Sequence, residues 1–132
     1  GQHAPGSYPG VSGDTPTSKN GIFYVDSATR FRDVIDGLSS TIAVGERGIP
    51  KALNIGWTLC GSTQDSFVDM QIGLIPGDAN GTHTDHFWSW HTGGAHFLLG
   101  DGAVRFLSDT TDHKVLVDLS TRSGQEVLSG DF

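Results

Sequence analysis

Residues 91–108, HTGGAHFLLGDGAVRFLS, decide the fold of this chain. Two apolar runs, residues 95–100 and residues 103–108, flank Asp101-Gly102 in this stretch. Asp-Gly between two apolar runs is the strongest short-range signal for a β-hairpin, because a type I′ turn needs a positive φ at both central residues. We therefore predict a hairpin with a two-residue turn at Asp101-Gly102.

The length of this turn determines which side chains of the hairpin share a face. A two-residue turn pairs Gly100 with Ala103, and successive side chains then alternate between the two faces of the sheet. The face that we expect to be buried carries Phe97, Leu99, Val104 and Phe106. The opposite face carries His96, Leu98, Arg105 and Leu107.

Length and composition limit the class of protein. A chain of 132 residues has room for one domain with one modest core. Its 19 glycines are about twice the usual share and exclude a helical bundle or a coiled coil, because glycine destabilises helix interiors. Eight Lys and Arg against fifteen Asp and Glu give a net charge of −7, which argues against nucleic acid and anionic membranes as partners.

Local patterns predict a small α+β domain. Residues 1–20, rich in Gly and Pro, indicate an irregular N-terminal segment, and residues 21–132 indicate a single globular domain. The predicted strands outside the hairpin are residues 21–26, 40–46 and 52–59, and the predicted short helices are residues 30–36 and 112–121. Together these elements predict a small antiparallel β-sheet with one or two short helices.

Three further sequence features concern the ends of the predicted helices, the absence of a membrane-span pattern and the single cysteine. Gly37 is expected to end the first helix, and Thr110 or Thr111 to cap the second. No apolar run reaches the length of a membrane span. The lone Cys60 excludes an internal disulfide framework and a cysteine-based zinc site, and its role stays open.

Histidine and aspartate are concentrated between residues 82 and 96. Neutral imidazoles and carboxylates are the usual protein ligands of zinc and similar metals. His83, His86 and His91 are therefore candidate ligands of a transition metal, although their spacing fits no established zinc motif. Aromatic residues lie between them, so a solvated loop beside an aromatic anchor is the alternative interpretation.

The neighbouring segment PGDANGTHTDH favours a different ion. Calcium prefers oxygen ligands on a tight loop that contains glycine, and Asp78, Asn80 and Asp85 can supply three of them. The spacing matches an EF-hand loop only in part. Asn and Asp also begin turns for purely local reasons, and this alternative stays open.

Signals for nucleophilic catalysis or for phosphate binding are absent from the sequence. It contains no G-x-S-x-G elbow, and its glycines do not have the spacing of a phosphate-binding loop. Glu46, at the predicted end of a strand and next to Arg47, is either an acid–base group or one partner of a salt bridge.

Blocks of the sequence resemble those of a known family. His91, nine residues and then Asp101-Gly102, followed by AVRFLS, are similar to the C-terminal signature of the prepilin-type H-X9-DG family. NGIFY at residues 20–24, RDVIDGLSSTIAVGER at residues 32–47 and TRSGQEV at residues 121–127 are similar to other blocks of that family. Departures are His96, where the family commonly has Asn, and Leu38 and Ser40, where it has Thr and Asn.

This resemblance implies an exported protein with a pilin-like globular head, at the cell surface or outside the cell. We expect that residues 1–132 do not include the hydrophobic N-terminal helix of the family. The resemblance implies other pilin-like subunits as partners, which bind through such a helix, and residues 1–132 themselves are expected to make no membrane contact. The motif of the family consists of His91, Asp101 and Gly102, and no chemical role is assigned to it. From the position of His91 we expect its imidazole to bond a backbone group or a carboxylate near the turn and to fix the loop.

Three functions follow from these observations as hypotheses. The first is a non-enzymatic, pseudopilin-like surface or secreted domain that calcium stabilises. The second is a hydrolase of a small ester or lactone that depends on calcium or zinc, with a cation bound by His83, Asp85, His86 and His91. Its catalytic candidates are His86, His91 and Asp101. The third is a carbohydrate-binding module, which requires that Trp88 and Trp90 are both exposed.

Overall fold

The computed structural model of the chain describes residues 6–49, 66–78, 80–81 and 83–124. The strands are β1 (Gly10–Val11), β2 (Ile42–Gly45), β3 (Phe67–Val68), β4 (Gly94–Leu99) and β5 (Val104–Ser108). Two 3₁₀ turns, Phe31–Asp33 and Leu38–Ser40, precede β2, and the α-helix α1 (His113–Ser120) follows β5. These elements confirm the predicted small α+β fold.

The five strands form one sheet in the order β3-β1-β2-β4-β5. The pairs β1–β2, β2–β4 and β4–β5 are antiparallel, as predicted. β1 and β3 run parallel, so the sheet is mixed rather than wholly antiparallel. The register between β2 and β4 shifts between Ile42 and Val44, which places Ile42 on one face and Val44 on the other.

One face of the sheet packs against α1 and forms the main core. Its buried strand residues are Val11, Ile42, Val68, Ala95, Phe97, Leu99 and Leu107. Leu116 and Leu119 of α1 are buried against them, in agreement with the predicted apolar stripe of this helix. The cap is Asp112 rather than Thr110 or Thr111, because the Asp112 side chain accepts a hydrogen bond from the Lys114 N–H.

The hairpin β4–β5 forms where it was predicted, but its register differs by one residue. Leu98 pairs with Val104, and the Leu99 N–H bonds to the Ala103 carbonyl across a three-residue loop. Gly102 has a φ of +91°, whereas Asp101 is not among the residues with positive φ, so the turn is not type I′. The prediction that Val104 and Phe106 are buried is therefore wrong.

The one-residue difference exchanges the faces of β5. Leu107, predicted to lie on the opposite face, is 2% exposed and belongs to the core. Val104 and Phe106 are 64% and 47% exposed. We define the outer face of the sheet by Val44, Leu98, Val104 and Phe106.

The remaining predicted elements differ from the structure in several places. β1 lies within the segment that was predicted to be irregular, because Val11 is fully buried and its backbone pairs with β3. Residues 21–26 form no strand, and residues 30–36 contain only a short 3₁₀ turn. Gly37, with a φ of +97°, precedes the second 3₁₀ turn and does not end the first helix.

Two predictions lie outside the described residues: the strand at residues 52–59 and the open role of Cys60. Within the described ranges, no helix is long and apolar enough to span a membrane.

The observed register predicts that a substitution at Leu107 destabilises the protein more than a substitution at Val104, although both residues are in β5. Replacing Leu107 by Ala removes a buried side chain and should lower the free energy of unfolding by about 2–5 kcal/mol. Replacing the exposed Val104 by Ala should cost less than about 1 kcal/mol. Urea denaturation of the two variants measures both values. A larger cost at Val104 than at Leu107 would support the two-residue turn and contradict this structure.

Candidate functional site

Glu46 and His96 lie side by side on the two central antiparallel strands. Glu46 directly follows β2, and its N–H donates to the His96 carbonyl at 3.0 Å. In return, the His96 N–H donates to Glu46 Oε2 at 2.8 Å. The imidazole Nδ1 of His96 lies 3.3 Å from the same carboxylate oxygen. Backbone and side chain therefore fix this pair together.

His91 reaches the other oxygen of the same carboxylate. Its Nε2 lies 3.3 Å from Glu46 Oε1. The tight bend before β4 holds His91 in place, because Ser89 Oγ accepts from the His91 N–H at 3.0 Å and donates to the Gly94 carbonyl at 2.6 Å. Gly93 in this bend has a φ of +88°, a conformation that favours glycine. The two imidazole rings meet edge to face, with their centroids 5.2 Å apart.

Glu46, His91 and His96 form the Glu–His–His group, in which one ligand atom from each residue lies within 4.8 Å of the others. The Glu46 side chain is only 8% exposed, whereas those of His91 and His96 are 56% and 42% exposed. A buried carboxylate needs hydrogen-bond donors or a cation to offset the loss of hydration. The group can therefore hold protons between carboxylate and imidazoles, or it can bind a metal ion.

The residues on either side of Glu46 are packed closely. A Cβ atom on Gly45 would lie 2.5 Å from the Phe87 ring, so no larger residue fits at this position. Arg47 is 1% exposed, and its Nη1 donates to the Thr84 carbonyl at 3.1 Å. The Glu46 carbonyl accepts from the Trp88 N–H at 3.1 Å. Close packing at Gly45 and Arg47 therefore holds the backbone that carries the Glu46 carboxylate in place.

His91 and the Asp101-Gly102 turn are well separated. The six residues of β4 lie between them, which corresponds to roughly 20 Å of extended chain. Asp101 Oδ1 accepts from the Ala103 N–H at 2.9 Å, and the Asp101 N–H donates to the Leu38 carbonyl at 3.1 Å. His91 does contact a carboxylate, as expected, but it is Glu46 and not a group near the turn. The expectation that His91 fixes the hairpin turn is therefore wrong.

His83 and His86 form a second, separate pair. His83 Nδ1 lies 3.0 Å from His86 Nε2, and His86 Nδ1 lies 3.0 Å from the Phe87 carbonyl. A carbonyl oxygen only accepts hydrogen bonds, so His86 carries a proton on Nδ1. Within the part of the chain that the structure describes, His91 groups with Glu46 and His96, and it does not form a three-ligand group with His83 and His86.

The predicted calcium ligands lie in two different surroundings. Asp78 Oδ1 accepts from the N–H groups of Asn80 and Gly81 at 2.8 and 3.1 Å, which is a local turn of the loop. The same oxygen lies 3.1 Å from His83 Nε2. Asp85 is exposed and lines a cavity of about 490 Å³ together with Lys19. Calcium binding by Asp78, Asn80 and Asp85 stays a prediction.

The two tryptophans have different exposures. Trp88 is fully buried, and its Nε1 donates to the His83 carbonyl at 2.9 Å. Trp90 is 51% exposed and packs edge to face on Trp88, with ring centroids 5.1 Å apart. The exposed pair of indoles that the carbohydrate-binding hypothesis requires is therefore not formed by Trp88 and Trp90.

Sequence reasoning found His91 but did not combine it with Glu46 and His96. Fifty positions separate Glu46 from His96 along the chain, and only the pairing of β2 with β4 brings them together. One signal could have joined them: the GER block at residues 45–47 and the block that begins with His91 are both parts of the recognised pattern. The histidine of one block contacts the glutamate of the other.

Fold and site together define a small α+β domain with a Glu–His–His group on the outer face of its sheet. The chain belongs to the family described as "Protein of unknown function (DUF1559)", which matches residues 2–114. No curated protein and no solved structure matches the chain.

The contact between Asp78 and His83 predicts a pH effect. The hydrogen bond with His83, followed by those from the Asn80 and Gly81 N–H groups, holds the pKa of the Asp78 carboxyl below its ordinary value of 3.8. A carboxyl with a lowered pKa stabilises the fold above its unfolded-state pKa, and this contribution is lost as the pH falls through the folded-state pKa. Replacing His83 by Ala should therefore raise the pKa of Asp78 towards 3.8.

Carbon-13 NMR titration of the Asp78 carboxyl measures this change. The control is His113→Ala, which removes an exposed histidine of α1 and should leave the Asp78 titration as it is in the wild type. An unchanged Asp78 titration in His83→Ala would contradict the assigned cause.

Proposed function

We propose that this chain is the globular head of an exported, pilin-like surface protein and that its role is structural. The sequence blocks that resemble the prepilin-type H-X9-DG family support this proposal. The observation that carries it is the apolar outer face of the sheet.

A sheet that packs on one side only normally shows polar side chains on the other. Here the outer face has apolar residues on three neighbouring strands. Val44 and Leu98 are half-buried, and Val104 and Phe106 are largely exposed. Neighbouring exposed apolar residues are a feature of surfaces that bind another protein segment, and they support this proposal.

The occupant that we propose is the hydrophobic N-terminal helix of a pilin-like protein. A helix presents an apolar stripe that can lie along such a strip of Val, Leu and Phe side chains. The other face of the sheet is already covered by α1, so a second helix would complete a three-layer arrangement of helix, sheet and helix.

Calcium stabilisation remains part of the proposal, and EGTA should then lower the melting temperature of the protein.

The decisive experiment follows the full-length protein in its natural host. A pilin-like protein is cut by prepilin peptidase before assembly, so deletion of this peptidase should raise the apparent mass of the protein and remove it from the cell surface. Immunoblotting of sheared surface material and of whole cells measures both effects. Unchanged mass and surface content in the deletion strain would refute the pilin-like assignment.

Charge on the outer face should block assembly without unfolding the head. The double variant Val104→Asp, Phe106→Asp places two carboxylates where an apolar helix would pack, and the amount of protein in the surface fraction should fall several-fold. The melting temperature should change little, because both side chains are exposed. The control is Ile75→Asp, at a residue that is 44% exposed and outside the outer face, and it should assemble like the wild type. Equal surface content of all three proteins would show that the outer face binds nothing.

A further inference from the structure

The Glu–His–His group places three potential ligand atoms within 4.8 Å of one another, close enough for one metal ion to draw them together. In a tetrahedral zinc site with bonds of about 2.0–2.1 Å, neighbouring ligand atoms are separated by about 3.3 Å. The distance from His91 Nε2 to Glu46 Oε1 and the distance from His96 Nδ1 to Glu46 Oε2 are both 3.3 Å. These two contacts use different oxygens of Glu46, and the three ligand atoms lie within 4.8 Å of one another, so the two exposed imidazoles must move together to share one ion.

The ligands also match the chemistry of zinc. Two neutral imidazoles and one carboxylate are the protein ligands of one common class of open zinc sites. Each ring can bind the ion through the nitrogen that faces Glu46 while its proton is on the other nitrogen. The group carries one negative charge in a chain of net charge −7, so a divalent cation is attracted and not repelled.

Hydrogen bonds support the three residues without the ion. The Glu46 N–H donates to the His96 carbonyl, the His96 N–H donates to Glu46 Oε2, and the backbone N–H of His91 donates to the Ser89 hydroxyl. A site that is preorganised in this way loses little conformational entropy when the metal binds. The buried position of the Glu46 side chain also lowers the competition from water for the carboxylate.

One side of the group opens onto a cleft. His91 and His96 line a cleft of about 440 Å³ with Tyr8, Val44, Leu98 and Val104. Three protein ligands and an accessible fourth position are typical of zinc sites that retain an exchangeable water, whereas purely structural sites have four protein ligands. We propose that Glu46, His91 and His96 bind one zinc ion whose fourth ligand is a water molecule in this cleft.

The test uses tag-free protein, stripped with a chelator, and zinc chloride as the probe. Isothermal titration calorimetry should show one zinc ion bound per chain, and excess zinc should raise the melting temperature. Cobalt(II) should give the visible absorption bands of a tetrahedral centre. Absence of zinc binding by the wild type would overturn the proposal.

Variants locate the ion. His91→Ala and His96→Asn change exposed ligands and should each weaken zinc binding at least about tenfold, because even residues that only support a ligand typically cost this much. The matched control is His83→Ala, which removes a histidine of the separate pair and should bind zinc like the wild type. Circular dichroism should show that all three variants are folded.

Two results would contradict this location. The first is wild-type affinity in His91→Ala and His96→Asn. The second is loss of binding in His83→Ala alone, which would assign the ion to His83 and His86.

Val44, Leu98 and Val104 belong both to this cleft and to the outer face, so a helix bound there would cover the cleft. The zinc titration is made on the purified protein without a helix partner or a host cell, and its outcome is therefore separate from the proposed surface role.

Discussion

The buried carboxylate of Glu46 joins the sheet to the candidate site, because it needs partners that only the folded sheet supplies. It lies almost fully buried between the two central strands, and it accepts from the backbone of His96 while both of its oxygens contact imidazoles. Burying a carboxylate costs several kcal/mol unless such partners are present. The pairing of β2 with β4 and the bend that carries His91 supply them, so the sheet and the site stabilise each other.

Local chemistry made much of the fold predictable. The hairpin, the strand at Ile42–Gly45 and the helix α1 were found because an Asp-Gly turn, a short apolar run and the apolar stripe of a helix are visible within a few residues. The register of the hairpin was not, because Asp101-Gly102 fits a two-residue turn and a three-residue loop with Gly102 at positive φ equally well. The choice depends on Leu107, which reaches the core only in the second arrangement. β1 is a further case, since two residues have no pattern until neighbouring strands pair with them.

The site was predictable only in part for a related reason. His91 stood out among neighbouring histidines, and this local density grouped it with His83 and His86. In space, His83 contacts Asp78 and His86, whereas His91 contacts Glu46. Glu46 is far from His91 along the chain, and its role depends on long-range strand pairing. The only sequence signal for the contact between Glu46 and His91 is that their two sequence blocks, although distant in the chain, both resemble blocks of the same family.

The strand order has a consequence for how the chain folds. Of the strand pairs in the described residues, only β4–β5 joins elements that are adjacent in the chain through a short loop. Every other pair closes a long loop, and the entropy of closing it is lost before the contacts that stabilise it are complete. The hairpin closes the shortest loop in this sheet, so we expect it to form first. A chain with such a topology is expected to fold more slowly than a helical domain of equal length, and the element expected to form first already carries His96.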